Sequence, residues 1–326
     1  MSVFALIAAC FSFDASNAQE RFIYSSPLPQ NEYGAVYARK FAEDVHVATN
    51  GAVEILVRQN GVLGLKGAET LGAVRDGLVH LADMQMNQQI GEESIFGIES
   101  MPCVARGFDD LRALQNLTRP LFEQAALRQN QKILFIYPMP RQNLFANTDV
   151  SEAPERLSGL RVRTIDRNGT DLFTELGAAP IQMPWAEVIP ALSSGLLDGV
   201  STSSTTAVSG AFWDFLDHAT EMHWQMNSFM ATVNLEAWNR IPARYRPIIE
   251  ESAREIESQL WAAAREADET AKTFLADKGI TFSPPGAALE QELAQACRAI
   301  LTDQMPGLEP AASKILQQYL SASSSQ

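Results

Sequence analysis

The apolar residues of this chain follow two patterns. Short, nearly continuous apolar runs predict strands, and longer stretches with apolar residues three or four apart predict helices. The segments "RFIYSS", "GAVEILVRQNG" and "KILFIYPM" have the first pattern, and helical stretches lie between them, the last from about 108 to 129. This βαβαβ alternation predicts a mostly parallel sheet covered by helices.

The same alternation begins again at Gly159. The segments "GLRVRT", "APIQM" and "LDGVST" predict three more strands, separated by two helices. A further strand is expected from Phe229 to Trp238, and its return to the first unit is one interpretation. The sequence therefore predicts a second α/β unit that follows the first.

A long helical stretch follows, from about 243 to 278, with apolar residues recurring at steps of four and three. At ~1.5 Å per residue it would span ~50 Å, more than one small domain needs. A coiled-coil arm is one interpretation. In a two-domain α/β protein, a shared spine that runs along both domains is the favoured one. Helices from about 289 to 305 and 311 to 320 complete the chain.

The N-terminal residues resemble a secretory signal. The apolar run Val3–Phe13 precedes Ser16-Asn17-Ala18, which is small at the two positions that a signal peptidase reads. We expect cleavage after Ala18, which makes residues 1–18 the signal peptide and places the mature protein in the periplasm. Lipid anchoring at Cys10 is the less favoured alternative. No later run approaches the ~18 apolar residues of a membrane span.

The composition narrows the classes of partner. Of the 326 residues, 46% are hydrophobic and 20% charged, and the net charge is -14. These values are typical of a soluble globular protein, and they argue against binding nucleic acid or an acidic membrane surface. A small anion is not excluded, because a local arginine outweighs a diffuse field that salt screens within about 8 Å.

The sequence marks out no catalytic or metal site. The four histidines lack metal-ligand spacing, there is no GxSxG motif, and the glycine-rich "GVLGLKG" lacks the Lys-Ser/Thr of a phosphate loop. Cys103 and Cys297 could pair in an oxidising compartment, but two buried free thiols are the favoured interpretation. We therefore expect no catalytic residue, no metal and no cofactor, and a binding protein is favoured over an enzyme.

Two arginines stand where an open α/β sheet binds ligands, beyond the carboxyl ends of strands. Arg163 ends "GLRVRT", and Arg141 follows "KILFIYPM". A guanidinium is the preferred partner of a carboxylate, because two parallel N–H groups fit its two oxygens. Arg161 shares a strand face with Arg163 but lies at the other end, and we expect it to be a solvated flank.

Several segments around these arginines resemble one family. The most specific is "LGAAPIQMPWAEVIPALSSGLLDGV", and "NGAVEILVRQNGVLG" and "PRQNLFANTDVSEAPERLSGLRVR" agree with it. Together they resemble the solute-binding proteins of tripartite ATP-independent periplasmic (TRAP) transporters, of the DctP type, over nearly the whole mature chain. The resemblance implies an α/β, type II-like periplasmic binding protein of two domains with a long spine helix spanning both.

The implied domains are discontinuous, with a ligand cleft between them. Domain I would contain 19–141 and about 230–275, and domain II would contain 142–229 and about 276–322. The resemblance makes Arg163 the ligand-carboxylate partner and Arg141 a second arginine near the ligand. The other implied ligand-binding residues are Trp185 (in place of the usual phenylalanine), Thr202 (where many members have asparagine), Gln85, Asn87 and Ser26.

The function implied is capture of a small organic carboxylate by domain closure and delivery to the small and large membrane subunits of a TRAP transporter, driven by an ion gradient. Trp185 favours an aromatic or otherwise apolar carboxylate. The alternatives are a binding protein of an ATP-driven transporter or sensor system and, less favoured, an α/β enzyme that acts on a carboxylate.

Overall fold

The computed structural model describes residues 19–65 and 67–323. The predicted signal peptide, with Cys10, lies outside these residues. Within them, no helix combines the length and apolar character needed to cross a bilayer.

The described elements follow one another as the spacing of apolar residues predicts, with short 3₁₀ turns between several of them. The first half contains β1 (Glu20–Ser25), α1 (Tyr33–Ala48), β2 (Val53–Arg58), α2 (Thr70–Arg75), β3 (Leu81–Gln85), α3 (Phe108–Arg128), β4 (Gln131–Pro138), β5 (Gln142–Ala146), β6 (Arg161–Thr164) and α4 (Arg167–Glu175). The second half contains β7 (Ala179–Gln182), α5 (Trp185–Ser193), β8 (Gly199–Ser203), α6 (Ser204–Ser209), β9 (His218–Thr220), β10 (Ser228–Asn234), α7 (Leu235–Arg240), α8 (Arg246–Asp277), β11 (Thr281–Ser283), α9 (Ala287–Gln304) and α10 (Pro310–Ser323).

The strands form two sheets. The first has the order β2-β1-β3-β10-β4, and the second has the order β11-β9-β5-β8-β6-β7. One strand in each sheet runs against its neighbours: β10 is antiparallel to β3 and β4, and β5 is antiparallel to β8 and β9. The mixed α/β architecture and the return of β10 to the first sheet agree with the sequence-based expectation.

Helix α8 has 32 residues and packs against both halves. Ile249, Ile256 and Leu260 lie in the core of the first sheet, and Leu275 lies in the core of the second. At about 1.5 Å per residue the helix is about 48 Å long. It is therefore the shared spine rather than a projecting arm.

The C-terminal helices divide between the two halves. Cys297 and the other buried residues of α9 pack under the second sheet, as the expected domain II requires. Ala312, Leu316 and Tyr319 of α10 instead pack in the core of the first sheet, so the expected assignment of about 276–322 to domain II is corrected for α10. Apolar periodicity shows that a helix has a buried face, but not which sheet covers it.

Three short strands are absent from the sequence-based prediction. They are β5, β9 and β11, of five, three and three residues. The predicted strand to Trp238 also ends earlier, because Asn234 caps a new helix by accepting from the backbone N–H groups of Glu236 and Ala237 at 2.9 and 3.1 Å. An asparagine at this position is a strong helix start.

Cys103 and Cys297 form a disulfide, which corrects the expectation of two free thiols. Their Cα atoms are 5.9 Å apart, although 194 residues separate them in sequence. Cys103 lies before α3, and its backbone N–H donates to the carbonyl of Trp224 at 2.8 Å. The nearby Arg106 pairs with Glu290 of α9 at 2.9 Å. The loop before α3 is thus fastened to the second half of the molecule.

Candidate functional site

The candidate site lies where the strand ends of the two sheets face each other. The chain passes from the first sheet to the second between β4 and β5, and it returns between β9 and β10. The carboxyl ends of β1, β3 and β4 therefore face those of β6 and β8 across these crossings, which is where open α/β sheets place ligands.

Arg163 is buried at this edge. Its side chain is on β6, the residue is 3% exposed, and its Nε and Nη2 both donate to the carbonyl of Met183, at 3.1 and 3.0 Å. Its guanidinium makes no ion pair with any described residue. Arg161, two positions earlier on the same face, is instead half-exposed and paired with Asp198. The structure therefore gives the two arginines different environments.

Burial makes the charge of Arg163 costly. Removal from water lowers the pKa of Arg163 to about 10, and the nearby Asp166 opposes this effect. Buried charges in proteins are ordinarily paired. A buried guanidinium held by one main-chain carbonyl can thus still accept an anion, with Nη1 not engaged by Met183.

Arg141 has a different environment. Its Nε donates to Asp268 of α8 at 2.7 Å, and its Nη2 donates to Glu269. Arg141 lies where the chain crosses between the sheets, and these two pairs hold its side chain beside the spine helix. Two carboxylates neutralise its charge, so it is a weaker anion site than Arg163.

Trp185 and Thr202 lie near Arg163. Trp185 is the first residue of α5, two positions after Met183, and it is 38% exposed. Its ring stacks on that of Phe212, with centroids 6.1 Å apart. Thr202 is buried on β8, directly opposite Asn143 of β5. Both positions therefore belong to the second sheet or to the helix that follows it.

Ser26 and Gln85 lie on the first-sheet side, beside a buried acid that the sequence did not mark out. Asp83 of β3 is 1% exposed and accepts from the hydroxyl of Tyr24 at 2.6 Å. Burial raises the pKa of Asp83 to about 7, although the hydrogen bond from Tyr24 and the nearby hydroxyl groups of Ser26 and Tyr137 oppose this rise. This edge therefore holds a carboxyl group that titrates near neutral pH.

Asn87 links the two sides. Its Nδ2 donates to Oδ2 of Asp166 at 2.5 Å, and Gln225, in the returning crossover, also donates to that oxygen at 3.3 Å. Asp166 is the N-cap of α4 and accepts from the backbone N–H of Gly169 at 2.8 Å. Burial raises the pKa of Asp166, while these hydrogen bonds and Arg163 act against that rise. Asn87 of the first half and Asp166 of the second are thus joined.

Sequence reasoning missed Asp166, Asp83 and Asn143. Asp166 is a helix cap that also contacts the other half of the molecule, and the cap position, an Asp before "RNGT", is the signal that could have revealed it. Asp83 sits inside a strand where only burial distinguishes it. Asn143 lies on β5, which the apolar pattern did not predict.

A surface groove of about 610 Å³ lies away from these residues, between α3, β4 and α8. Its charged groups already pair with each other: Arg119 contacts Glu257 at 2.7 Å, and Lys132 contacts Glu250 at 3.0 Å. The groove therefore lacks the unpaired cation that marks the edge at Arg163.

Comparison with known proteins gives one consistent family. The family model for bacterial extracellular solute-binding proteins, family 7 (DctP), matches residues 24–306. The C4-dicarboxylate-binding periplasmic protein DctP of Rhodobacter capsulatus is 26% identical over 251 residues, which cover 75% of this chain and 74% of that protein. The ectoine/5-hydroxyectoine-binding periplasmic protein UehA of Ruegeria pomeroyi is 21% identical over 262 residues, covering 76% and 74%.

A solved structure shares the fold. DctP7 of Bordetella pertussis, an extracytoplasmic solute receptor binding pyroglutamic acid, superposes with a TM-score of 0.87 and 26% identity. The match covers 92% of this chain and 99% of that chain. Because the family model spans most of the described residues and the two-sheet fold agrees, this chain belongs to the DctP family of bacterial extracellular solute-binding proteins, family 7.

Proposed function

We propose that this protein captures a small organic carboxylate between its two halves, outside the cytoplasm, and delivers it to the small and large membrane subunits of a TRAP transporter. Closure of the cleft removes competing water, which strengthens an ion pair. The spine helix α8, which packs on both halves, is the element that must bend or pivot. Transport energy would come from those partners and an ion gradient.

One observation carries this proposal. Arg163 is a buried cation at a cleft between strand ends, and no described residue pairs with it. A carboxylate that accepts from this guanidinium would compensate its charge in the closed protein. Arg161, half-exposed and already paired with Asp198, lacks this unpaired charge.

The other predicted ligand residues keep secondary roles. Trp185 would pack against the organic body of the ligand, and Thr202 would add a polar contact beside Arg163. Arg141 would act mainly through its field, because Asp268 and Glu269 hold its guanidinium. The cleft edge of the first sheet would contribute Ser26, Gln85 and Asn87.

The relatives suggest the first acids to test. One relative binds C4-dicarboxylates and another binds pyroglutamic acid, and each is 26% identical to this chain. Thermal melting against a carboxylate library would include both kinds. A ligand at about 100 times its dissociation constant should stabilise the protein by about 2.7 kcal/mol. If no acid raises the melting temperature, or if Arg163→Ala is stabilised as strongly as wild type, the proposal fails.

Two alternatives have their own tests. An enzyme would convert the captured acid, so recovery of the acid unchanged after prolonged incubation supports binding alone, and turnover contradicts it. A binding protein of an ATP-driven transporter or a sensor would have genes for an ATPase or a sensor kinase beside its own. Neighbouring genes for TRAP membrane subunits would support the partners proposed above.

A further inference from the structure

Three neighbouring strands of the second sheet bring polar side chains to one face near the cleft. Asn143 of β5 lies opposite Thr202 of β8, and Arg163 of β6 lies opposite Val200 of β8. Residues two apart on a strand share a face, so Asn143, Thr202 and Arg163 lie on the same face as Val200, which packs in one core with residues of α5 and α6. Asn143 lies two strands from Arg163, a lateral spacing of about 10 Å.

In the side-chain amide of Asn143 the nitrogen has a hydrogen-bond partner and the oxygen has none among the described residues. Its Nδ2 donates to the hydroxyl of Ser204 at 3.4 Å, which leaves Oδ1 as the remaining acceptor. Asn143 is 3% exposed, and Oδ1 is buried with no hydrogen bond from any described residue. Buried acceptors are almost always satisfied in native proteins, so this oxygen calls for a donor from elsewhere.

The charges around the proposed cleft limit which class of ligand can supply that donor. Among the described residues at this edge, Arg163 makes no salt bridge, although Asp166 lies near it, whereas Arg141 is held by Asp268 and Glu269. A ligand with two carboxylates would bury its second charge without a compensating cation, which is costly. A ligand with one carboxylate and a neutral donor meets both Arg163 and Asn143.

We propose that Asn143 is a specificity-determining residue whose Oδ1 accepts a hydrogen bond from an N–H or O–H group of a ligand that carries a single carboxylate, held by Arg163. This inference rests on the proposed function. Hydroxy acids and cyclic amide acids have the required chemistry. Dicarboxylates do not, because at neutral pH their second group offers acceptors only.

The test compares acids that differ by one donor. Isothermal titration calorimetry on the wild-type protein would use 5-oxopyrrolidine-2-carboxylate against 5-oxotetrahydrofuran-2-carboxylate, in which a ring oxygen replaces N–H. A second pair is 2-hydroxybutanoate against butanoate, and succinate represents the dicarboxylates. In at least one pair the donor-bearing member should bind about tenfold or more tightly than its analogue, and more tightly than succinate, since the analogue leaves Oδ1 unsatisfied.

The variants isolate the role of Asn143. In Asn143→Leu, and in Asn143→Ala should the first variant fail to fold, the preference within the pair should fall to about one. Asn147→Ala, an exposed position just beyond the far end of β5, should keep the wild-type preference. Pairs bound equally by wild type, tighter binding of succinate, or a preference that survives in the Asn143 variants would each overturn the inference. If no carboxylate raises the melting temperature of the wild-type protein, the proposed function itself is wrong.

Discussion

Arg163 and Met183 are joined by two hydrogen bonds from one guanidinium to one main-chain carbonyl, at 3.1 and 3.0 Å. Met183 directly follows β7, which pairs with β6, so the arginine is held from just beyond the end of the neighbouring strand. This contact orients the guanidinium without neutralising it. The proposed function uses this buried charge to hold a carboxylate.

Replacing Arg163 by Ala should weaken carboxylate binding by about 30-fold or more, because losing one partner of a buried charge pair costs about 2–5 kcal/mol. Arg163→Lys should recover only part of the affinity, since an ammonium cannot form the two parallel bonds. Calorimetric titration of each variant measures the effect. Arg161→Ala is the matched control, and affinity lost equally in both alanine variants would contradict the assignment.

The link between Asn87 and Asp166 should help to hold the closed form. Asp166→Asn keeps a good N-cap for α4 but replaces the charged acceptor of the Asn87 and Gln225 amides with a neutral one. We expect about a 3- to 30-fold loss of ligand affinity, in line with about 1.5–3 kcal/mol for a hydrogen bond to a charged group less what the amide retains.

Small-angle X-ray scattering gives a second measurement for this variant. The radius of gyration of ligand-saturated Asp166→Asn should exceed that of the saturated wild type. Asp166→Ala adds loss of the cap, which costs about 0.5–2 kcal/mol, and so should also lower the melting temperature. Unchanged affinity in Asp166→Asn would show that the link does not stabilise closure.

Stability should fall as the pH rises from about 4 to about 7. Burial raises the pKa values of Asp83 and Glu99 to about 7, above the usual values of 3.8 and 4.5. The folded protein therefore binds more protons than the unfolded chain in this range, and the resulting stability is fully present below about pH 4 and lost as the pH passes through 7.

Urea denaturation between pH 4.5 and 8 measures the slope of the free energy of unfolding against pH. Asp83→Asn, whose amide oxygen can still accept from Tyr24, should flatten it, whereas Glu251→Gln on the exposed face of α8 should leave it unchanged. Other carboxylates, whose pKa is lowered in the folded protein, make stability rise with pH in the acid range. The comparison between variants therefore isolates the contribution of Asp83. Identical slopes for wild type and Asp83→Asn would contradict the effect.

The disulfide should contribute substantially to stability. Removing a bridge between Cys103 and Cys297, which closes a loop of 194 residues, should cost about 2–5 kcal/mol. Calorimetric melting with and without dithiothreitol measures the loss. The double variant Cys103→Ser/Cys297→Ser should melt at the temperature of the reduced protein and show no further response to reductant. A melting temperature that reductant leaves unchanged in wild type would contradict the prediction.

The sequence predicted the larger elements because their side chains repeat with a clear period. The spine helix and β1, β2, β4, β6 and β8 were all expected near their observed positions. Short strands such as β9 and β11 carry too few residues to show a period. The destination of α10 depends on which core covers its apolar face, which local spacing does not encode.

The sequence singled out Arg163 because its position at a strand end and the family resemblance both pointed to it. The structure buries Arg163 at that edge, and its contact with a ligand stays a prediction. Asn143 could not be found in this way, because its position beside Thr202 follows from the antiparallel register of β5 and β8. Pairing of Cys103 with Cys297 likewise depends on the folding of the intervening chain.

A crystal structure of the protein with the acid identified by thermal melting tests the central claim most directly. The account predicts a carboxylate within about 3 Å of the Arg163 guanidinium, enclosed between the two halves, with Met183 still accepting from the same side chain. A carboxylate bound elsewhere, with Arg163 contacting only Met183, would contradict it.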